Sequence, residues 1–269
     1  MSEKLLSAFT SLGVGGRADV TVVRDTFDVK EDDVILGRGT NVVVSDLGTD
    51  RRVLVVRCGG VEAAGTRLTA GGGLPLSAVA RAACASGLSG LEWAVGIPGS
   101  VGGAVVMNAG AFGGCMADVV SRAVIKTPRG EERLTAEEMR FGYRSARLPF
   151  GVVTRVTFDL AAGNAADALA LAAGYNARRH AEQPSGRTAG STFLSCGGVS
   201  AGYYIDRAGL KGFRVGGARI SEKHANFIIM DDGGRADDFR RLADTVKLKV
   251  YSRFNVRLKE EVRYIGEFR

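Results

Sequence analysis

Ser191, in the segment GRTAGSTF (residues 186–193), is a candidate for nucleophilic or proton-transfer chemistry. No Asp–His pair at hydrolase spacing is evident, and the segment does not match the G-x-S-x-G elbow between a strand and a helix. A hydrolase triad is therefore poorly supported. A serine hydroxyl can still donate a proton to a carbanion when neighbouring groups stabilise the charge that it then carries. The alternative is an ordinary serine turn in a loop between two helices.

Arg144 follows Tyr143 in the segment FGYRSARLP (residues 141–149). A guanidinium group suits a carboxylate because it can donate two parallel hydrogen bonds to it. The segment therefore indicates a carboxylate-binding arginine. The alternative is a solvated arginine beside a core tyrosine.

Two adjacent carboxylates, Glu260 and Glu261, stand in LKEEVRYIG (residues 258–266). On a strand their side chains point to opposite faces, so we expect one of them to face inward. A buried carboxylate near an arginine would form a pair. The alternative is a strand on the surface.

A basic segment with several glycines, AGLKGFRVGGARISEKHANF, covers residues 208–227. Its cationic side chains can together hold a diphosphate. These side chains are Lys211, Arg214, Arg219, Lys223 and His224.

Glycine dominates the segment GLSGLEWAVGIPGSVGGAVVMNAGAFGG (residues 87–114), in which Glu92 is the one charged residue. Glycines let backbone amides approach a ligand that any Cβ would obstruct, and consecutive amides attract phosphate oxygens. We interpret this segment as the cradle of a large cofactor, with tight turns in a β-rich core as the alternative. The first glycine turn of the chain, residues 37–41, can present amides to a diphosphate. Since no helix follows it, it is not a Rossmann motif. A plain hairpin is an equally compatible interpretation.

Composition narrows the class of ligand. The chain carries a formal net charge of +7 and 38 glycines among 269 residues. The positive charge is dispersed, without basic blocks or finger spacing, which favours anionic small molecules over nucleic acid. The four cysteines and two histidines are not clustered, so we expect no metal site and free thiols of a reducing compartment. Since no segment has the length of a signal peptide or a membrane span, we expect a cytoplasmic protein, acting as a monomer.

Hydrophobic periodicity predicts the elements that position these residues. Strands are expected at residues 18–24, 34–46 (interrupted by the glycine turn), 52–58, 68–73, 119–134 (as two strands), 151–161, 218–221, 226–231 and 256–266. A short amphipathic piece is expected at residues 5–12. Helices are expected at residues 75–87, 135–141 (with a capping box), 165–184, 203–210 and 236–254. This order predicts an α+β protein with three domains, residues 1–51, 52–162 and 163–262, in which residues 263–269 can return to the first.

Six segments occur in the order seen in UDP-N-acetylenolpyruvoylglucosamine reductases, and the chain resembles this family from Thr10 to about Gly266. They are LGRGTN, GLEWAVGIPGSVGGAVVMNAGAFG, FGYRSARLP, AGSTF, AGLKGFRVGGARISEKHANF and FNVRLKEEVRYIG. These enzymes use FAD to complete UDP-N-acetylmuramate for bacterial peptidoglycan. The resemblance implies a two-domain FAD-binding cradle of the vanillyl-alcohol-oxidase type and a third, α+β domain that closes over the sugar nucleotide.

The resemblance also implies the chemistry. NADPH would reduce the flavin and leave, and hydride would then pass to the β-carbon of the enolpyruvyl group. Ser191 matches the family's proton donor to the α-carbon, Arg144 matches the arginine that holds the substrate carboxylate, and Glu261 matches the catalytic glutamate. The expected FAD-binding residues are Gly37, Arg38, Gly39, Thr40, Asn41, Val42, Gly96, Ile97, Pro98, Gly99, Ser100, Gly102, Gly103, Asn108, Ala109 and Gly110. The expected substrate-binding residues are Tyr143, Lys211, Arg214, His224 and Asn226.

The chain departs from the family pattern in three places. Leu194, Ser195 and Cys196 replace the usual Lys-Asn-Pro, so the residues that hold the diphosphate there are open. Only TFDVKEDD (residues 26–33) stands where the family has a helix before the glycine turn, and Glu260 replaces a proline. No tyrosine-bearing loop is inserted between residues 149 and 190, as in the family's shorter type.

Two other hypotheses remain at this stage. One is a different FAD oxidoreductase on the same cradle, against which the combination of Ser191, Arg144 and Glu261 argues. The other is a flavin-free basic binding module, which the departures described above would permit and which would be colourless.

Overall fold

The computed structural model describes residues 2–268 of the chain. Its contacts group the chain into two compact units. The first unit comprises the described residues up to 20, residues 39–52, and those from 180 onward; the second comprises residues 21–38 and 53–179. The three-domain division expected from the sequence stays a prediction.

Residues 2–268 contain both strands and helices, and the first six strands after the initial 3-10 turn follow one another with no helix between them. The strands are β1 (Ser2–Leu5), β2 (Arg17–Val23), β3 (Val34–Leu36), β4 (Val42–Val44), β5 (Val53–Val56), β6 (Val61–Ala64), β7 (Arg67–Gly71), β8 (Leu88–Ser89), β9 (Gly110–Ala111), β10 (Gly114–Cys115), β11 (Val120–Thr127), β12 (Gly130–Thr135), β13 (Val152–Asp159), β14 (Ala161–Ala162), β15 (Thr188–Ser191), β16 (Arg214–Val215), β17 (Ala218–Ile220), β18 (Phe227–Met230) and β19 (Arg263–Ile265). The α-helices are α1 (Leu76–Ala85), α2 (Val101–Val106), α3 (Ala136–Met139), α4 (Ala165–Glu182), α5 (Ala201–Arg207) and α6 (Ala236–Phe254), and short 3-10 helices cover Leu6–Phe9, Glu92–Ala94 and Met116–Asp118.

The first unit is built on an antiparallel sheet in the order β15-β18-β17-β16, with α6 packed against β16 and β17. Helix α6 is amphipathic: Phe239, Leu242, Val246 and Val250 are buried at intervals of three or four residues, as one helix face requires. The Asp46 carboxylate accepts hydrogen bonds from the first amides of α6, at 3.1 and 3.4 Å. These amides have no partner within the helix, so the carboxylate supplies the N-cap from elsewhere in the chain.

The second unit contains a five-stranded antiparallel sheet in the order β12-β11-β13-β7-β6. Helix α2 packs on β7 and β13, and α1 packs on α2. The buried core between these layers includes Leu76, Val105, Ile125 and Phe158. The sheet and its helices thus form a rigid base for the glycine-rich segment that runs through α2.

The strands on either side of the first glycine turn do not form a hairpin. β3 pairs in parallel with β5, and β4 pairs in parallel with β19. The hairpin alternative is therefore wrong, because each strand finds its partner far along the chain.

Most elements expected from the periodicity are confirmed. The bounds of α6 agree with the expected helix 236–254, and Thr135 and Glu138 form the expected capping box at α3. Residues 25–33 contain no helix, in agreement with the shortened segment noted in the sequence. None of the helices in residues 2–268 combines the length and the apolar character that a membrane span needs.

Within the expected amphipathic piece at residues 5–12, Leu5 ends β1 and Leu6–Phe9 form one 3-10 turn. Two expectations are wrong in detail. Ser191 ends strand β15 and does not lie in a loop. The closing strand is only Arg263–Ile265, because residues 259–261 pair instead with the segment that follows Ser191.

Candidate active site

Ser191 lies at the end of β15, opposite Phe227 of β18. The register of the two strands shifts between Thr188 and Ser191. Gly190 stands in this irregularity with φ of +79°, a conformation that residues with a Cβ rarely adopt. A Cβ on Gly190 would lie 4.0 Å from the Thr40 carbonyl oxygen. Ser191 is therefore next in the chain to a residue that faces the first glycine turn.

Glu261 is joined to the same segment by a backbone bond. Its amide donates to the Thr192 carbonyl at 2.8 Å, and the Leu194 amide donates to the Lys259 carbonyl at 2.8 Å. The Asn41 side-chain amide donates to the Glu261 carbonyl at 3.2 Å. The first unit thus brings together the predicted proton donor Ser191, the predicted catalytic Glu261 and the predicted cofactor residue Asn41.

Asn226 is buried beneath this segment. Its side-chain oxygen accepts from the Phe193 amide at 3.0 Å, and its side-chain nitrogen donates to the Phe193 carbonyl at 2.8 Å. Its own carbonyl accepts from the Thr192 amide at 2.8 Å. The residue that the resemblance assigns to the substrate is thus bonded to the backbone just after Ser191.

Glu260 belongs to a separate polar network. Its carboxylate accepts from the Tyr264 hydroxyl at 2.7 Å and from the Lys247 ammonium at 3.3 Å. Burial, and then the hydrogen bond to Glu260, raise the pKa of the Tyr264 phenol well above its usual range. The Arg240 guanidinium lies over the Tyr264 ring, 4.5 Å from its centroid. Both glutamates are half-buried, and the cation bonded to Glu260 is a lysine where the sequence indicated an arginine.

The basic segment 208–227 forms ion pairs with carboxylates on either side of it in the chain. Lys211 pairs with Asp206 at 3.0 Å, and Arg214 and Arg219 both pair with Asp231. Hydrogen bonds from Arg219 and Arg214 lower the pKa of the Asp231 carboxyl. The assignment of Lys211 and Arg214 to a diphosphate stays a prediction, and a ligand there would compete with these carboxylates.

The His224 ring is half-buried, and its Nδ1 accepts a hydrogen bond from the Asn226 amide at 3.2 Å. An Nδ1 that accepts carries no proton, so the neutral ring has its hydrogen on Nε2. Burial lowers the pKa of His224, and Lys211 acts in the same direction. The geometry therefore favours a neutral His224 as a structural partner of Asn226.

In the second unit, Arg144 sits in a tight turn closed by mutual backbone bonds between Gly142 and Ser145. Arg144 has φ of +54°, in the left-handed region, and its guanidinium donates to the Gly110 carbonyl at 3.3 Å. The buried Asn108 side chain donates to the Gly142 carbonyl at 2.9 Å. Two segments expected to serve different ligands, the flavin and the substrate carboxylate, are therefore joined at Arg144. Tyr143 beside it is 62% exposed.

The glycine segment 96–103 meets the start of the first glycine turn within the second unit. Ser100 caps α2 by accepting from the Gly103 amide at 3.2 Å. A Cβ built on Gly37 would collide with the Ser100 hydroxyl, so a larger residue there would have to displace the hydroxyl that caps α2. The Arg57 guanidinium donates to the Gly37 carbonyl at 2.9 Å. Burial lowers the pKa of Arg57, and the nearby positive charges of Arg38 and Arg24 add to this lowering.

One cluster was missed in the sequence. The Phe112 ring stacks on the Tyr175 ring with centroids 4.8 Å apart, and the guanidinium groups of Arg178 and Arg179 both lie 5.3 Å from the Phe112 centroid. Phe112 belongs to the glycine-rich segment, and the other three belong to α4. Positions 175, 178 and 179 share one helix face, which the sequence does reveal. Their contact with Phe112, more than sixty residues away, is visible only in the structure.

Comparison with known proteins agrees with this arrangement. Residues 27–135 match the model of an FAD binding domain, and residues 181–265 match the model of the UDP-N-acetylenolpyruvoylglucosamine reductase C-terminal domain. The chain is similar to UDP-N-acetylenolpyruvoylglucosamine reductases from Nostoc punctiforme (38% identity, covering 99% of this chain and 86% of the relative) and Lactiplantibacillus plantarum (40%, 87% and 79%). It is also similar to the crystal structure of UDP-N-acetylenolpyruvylglucosamine reductase from Thermus caldophilus, with a TM-score of 0.88, 35% identity and 98% of each chain covered.

Proposed function

The chain belongs to the UDP-N-acetylenolpyruvoylglucosamine reductase family, and we propose that it reduces the enolpyruvyl group of this UDP-sugar with FAD and NADPH. The product is UDP-N-acetylmuramate, a precursor of peptidoglycan. The fold is accordingly an α+β, multi-domain FAD-binding fold. The observation that carries the proposal is the backbone bond between Thr192 and Glu261, which joins the segments of the proton donor and the catalytic glutamate.

The residues present fit FAD. A diphosphate needs backbone amides that it can approach closely and positive charge near them. Gly37 has no room for a side chain against Ser100, and Arg24, Arg38 and Arg57 concentrate positive charge at this turn. We assign the diphosphate of FAD to the turn 37–42, and the rest of the cofactor to the segments 96–103 and 108–110.

FAD, when bound and reduced by NADPH, supplies the hydride. The protein has to manage the charge and the proton that accompany the transfer. Hydride addition to the β-carbon of an enol ether conjugated to a carboxylate builds negative charge on that carboxylate. Arg144 stabilises this charge through hydrogen bonds, and Glu261 acts as a hydrogen-bonding acid; removing one such contact typically costs about 10²–10³ in rate.

Ser191 delivers the proton that completes the reduction. Its hydroxyl gives a proton to the α-carbon, which is basic enough to accept one from a group of high pKa. The strand end and the glycine before it hold Ser191 at one backbone position, so that the proton is given to one face of the carbon. This assignment follows the family resemblance at AGSTF and is supported by the surroundings of Ser191 in the first unit.

We further propose that the enzyme works as a cytoplasmic monomer on small anionic molecules, without nucleic acid. The dispersed positive charge of the chain suits FAD, NADPH and the UDP-sugar, which are all polyanions. Light scattering on the purified protein, with and without FAD, tests the monomer, and a second copy of the chain in solution would refute it.

An anaerobic spectrum of the purified protein tests the function. NADPH should bleach the visible flavin absorbance, and UDP-N-acetylglucosamine enolpyruvate should restore it with formation of UDP-N-acetylmuramate. Bleaching that this substrate does not reverse would point to another FAD oxidoreductase on the same fold. A colourless protein that takes up no added FAD would overturn the enzyme assignment.

A further inference from the structure

We propose that Asn226 is a positioning residue for Ser191, because its side chain bonds both backbone groups of Phe193 and thereby fixes the strand end that carries the serine. The inference rests on the proposed function, since it concerns the proton donor of that reaction. It assigns Asn226 a different role from the substrate contact expected from the sequence.

The Asn226 side chain forms the same two hydrogen bonds to Phe193 that the backbone of a neighbouring strand would form. Its oxygen accepts from the Phe193 amide at 3.0 Å while its nitrogen donates to the Phe193 carbonyl at 2.8 Å. An adjacent strand would offer the same two groups, one acceptor and one donor. Both hydrogen bonds are buried, where the loss of a partner is costly.

We call the two hydrogen bonds between the Asn226 side chain and the Phe193 backbone the clamp. They follow directly on the irregular pairing of β15. The register with β18 shifts between Thr188 and Ser191, around the left-handed Gly190. The pairing resumes at Ser191 and Phe227, but Phe193 bonds to the side chain of Asn226. The Asn226 carbonyl accepts from the Thr192 amide at 2.8 Å, and from the next residue onward the Asn226 side chain replaces the backbone.

On its other side, the segment after Ser191 is hydrogen-bonded to the backbone that carries Glu261. The Thr192 carbonyl and the Leu194 amide bond to the backbone of residues 259–261. The segment after Ser191 is thus bonded on one side to Asn226 and on the other to the chain of the catalytic glutamate. A shift of Phe193 would move both groups relative to a substrate held in the site.

Burial separates the positioning role from substrate binding. Asn226 is only 5% exposed. The oxygen of its side-chain amide already accepts from Phe193, and one hydrogen of the same amide is donated to Phe193. A substrate ligand has to present its polar atoms to the substrate. We therefore expect that a change at Asn226 alters the rate of proton delivery and leaves the affinity for the substrate unchanged.

Three variants of the full-length holoenzyme test this inference. Asn226→Ala removes both bonds to Phe193. Asn226→Asp keeps the acceptor for the Phe193 amide and loses only the donor, so it retains part of the clamp if the alanine variant does not fold. Ile228→Val is the matched control, since Ile228 lies in β18 two residues after Asn226, is buried at 2% exposure and has a side chain that cannot form hydrogen bonds.

Stopped-flow absorbance measures the two half-reactions separately. In the Asn226 variants, reoxidation of the reduced flavin by saturating enolpyruvyl substrate should slow by about 10²-fold, the usual cost of an ångström-scale misplacement. Its solvent deuterium isotope effect should increase, because proton delivery then limits the step. Reduction by NADPH and the dissociation constant of the substrate for the oxidised enzyme should match wild type. Hydrogen exchange at the Phe193 amide should accelerate in the alanine variant, while Ile228→Val should resemble wild type throughout.

Other outcomes overturn the inference. A weaker dissociation constant with an unchanged saturating rate would make Asn226 a substrate ligand. Equal slowing of both half-reactions, or the same slowing in Ile228→Val, would mean general destabilisation. If wild-type enzyme is not reoxidised by the substrate, the proposed function fails. In that case, unchanged hydrogen exchange at Phe193 in Asn226→Ala would independently refute the clamp.

Discussion

The Glu261 amide donates a hydrogen bond of 2.8 Å to the Thr192 carbonyl, one residue after Ser191. Thr192 and Glu261, 69 positions apart in the chain, are therefore held on neighbouring backbones. Because the bond is between main-chain atoms, substitution of either side chain leaves it in place. The side chains of Ser191 and Glu261 can thus be tested separately without removing the bond that joins their segments.

Replacing Glu261 should affect the chemistry, and replacing Glu260 should affect stability. Glu261→Gln loses the acid that stabilises charge on the substrate, so kcat should fall by about 10²–10³. Glu260→Gln weakens the bonds with Tyr264 and Lys247, so the free energy of unfolding should fall by about 1 kcal/mol with little change in kcat. Denaturant unfolding and steady-state kinetics on both variants measure this. The reverse pattern would exchange the roles of the two residues.

Arg144 should be needed for the substrate and not for the first half-reaction. Arg144→Lys keeps the charge but loses the planar pair of donors that suits a carboxylate. We expect kcat/KM for the enolpyruvyl substrate to fall about 10²-fold or more, with flavin reduction by NADPH unchanged. Arg147→Lys, an exposed position on the same loop, is the matched control. Slowed reduction by NADPH in Arg144→Lys would contradict this role.

Gly37 should be required for cofactor affinity. In Gly37→Ala the new Cβ collides with the Ser100 hydroxyl, and the turn has to move. Strain of about 1–3 kcal/mol is typical of such overpacking, so the dissociation constant of FAD should rise roughly 10- to 100-fold. Gly59→Ala is the control, because a Cβ there meets no atom within 4 Å. Fluorescence titration of the apoprotein with FAD compares the two. Equal affinities would remove Gly37 from the cofactor site.

His224 should make the protein less stable as the solution becomes mildly acidic. Burial lowers the pKa of His224 in the folded chain, while the unfolded chain keeps a value of about 6.5. Below about pH 6.5 the unfolded state therefore binds a proton that the folded state does not, and the free energy of unfolding falls until the lowered pKa is reached. Lys211 adds to this lowering, whereas Glu182 and a backbone hydrogen bond oppose it.

Denaturant unfolding at several pH values tests the role of His224. His224→Gln can still accept from the Asn226 amide but cannot titrate, so its stability should vary less between pH 6.5 and the lowered pKa than that of wild type. Acidic groups with lowered pKa values, among them Asp231 and Asp244, titrate at lower pH than His224. They are present in both wild type and His224→Gln, so they do not produce a difference between the two. Parallel stability curves would show that His224 is not the titrating group.

Local sequence patterns predicted the helices and caps that depend on residues close together in the chain. The amphipathic repeat predicted α6, and the Thr135–Glu138 spacing predicted the cap of α3. The types and order of the candidate site residues were also available from the sequence, through the family resemblance. Their roles at individual positions remain predictions.

Pairings between distant segments could not be predicted in the same way. Nothing local to β3 and β4 indicates that each pairs with a strand outside the glycine turn. Asn226 looked like a polar residue for a ligand, because its two bonds to Phe193 depend on how β15 meets β18. Phe112 likewise showed no sign of its arginine neighbours on α4. Each of these contacts depends on chain closure over more than ten residues.

The most direct test of the central claim is stopped-flow absorbance on Ser191→Ala, with the two half-reactions measured separately under anaerobic conditions. We expect NADPH to reduce the flavin of this variant at the wild-type rate. Reoxidation by UDP-N-acetylglucosamine enolpyruvate should be slower by about 10²–10⁴, the usual contribution of a positioned proton donor. Wild-type reoxidation in Ser191→Ala, or equal slowing of both half-reactions, would contradict the assignment of Ser191 as the proton donor.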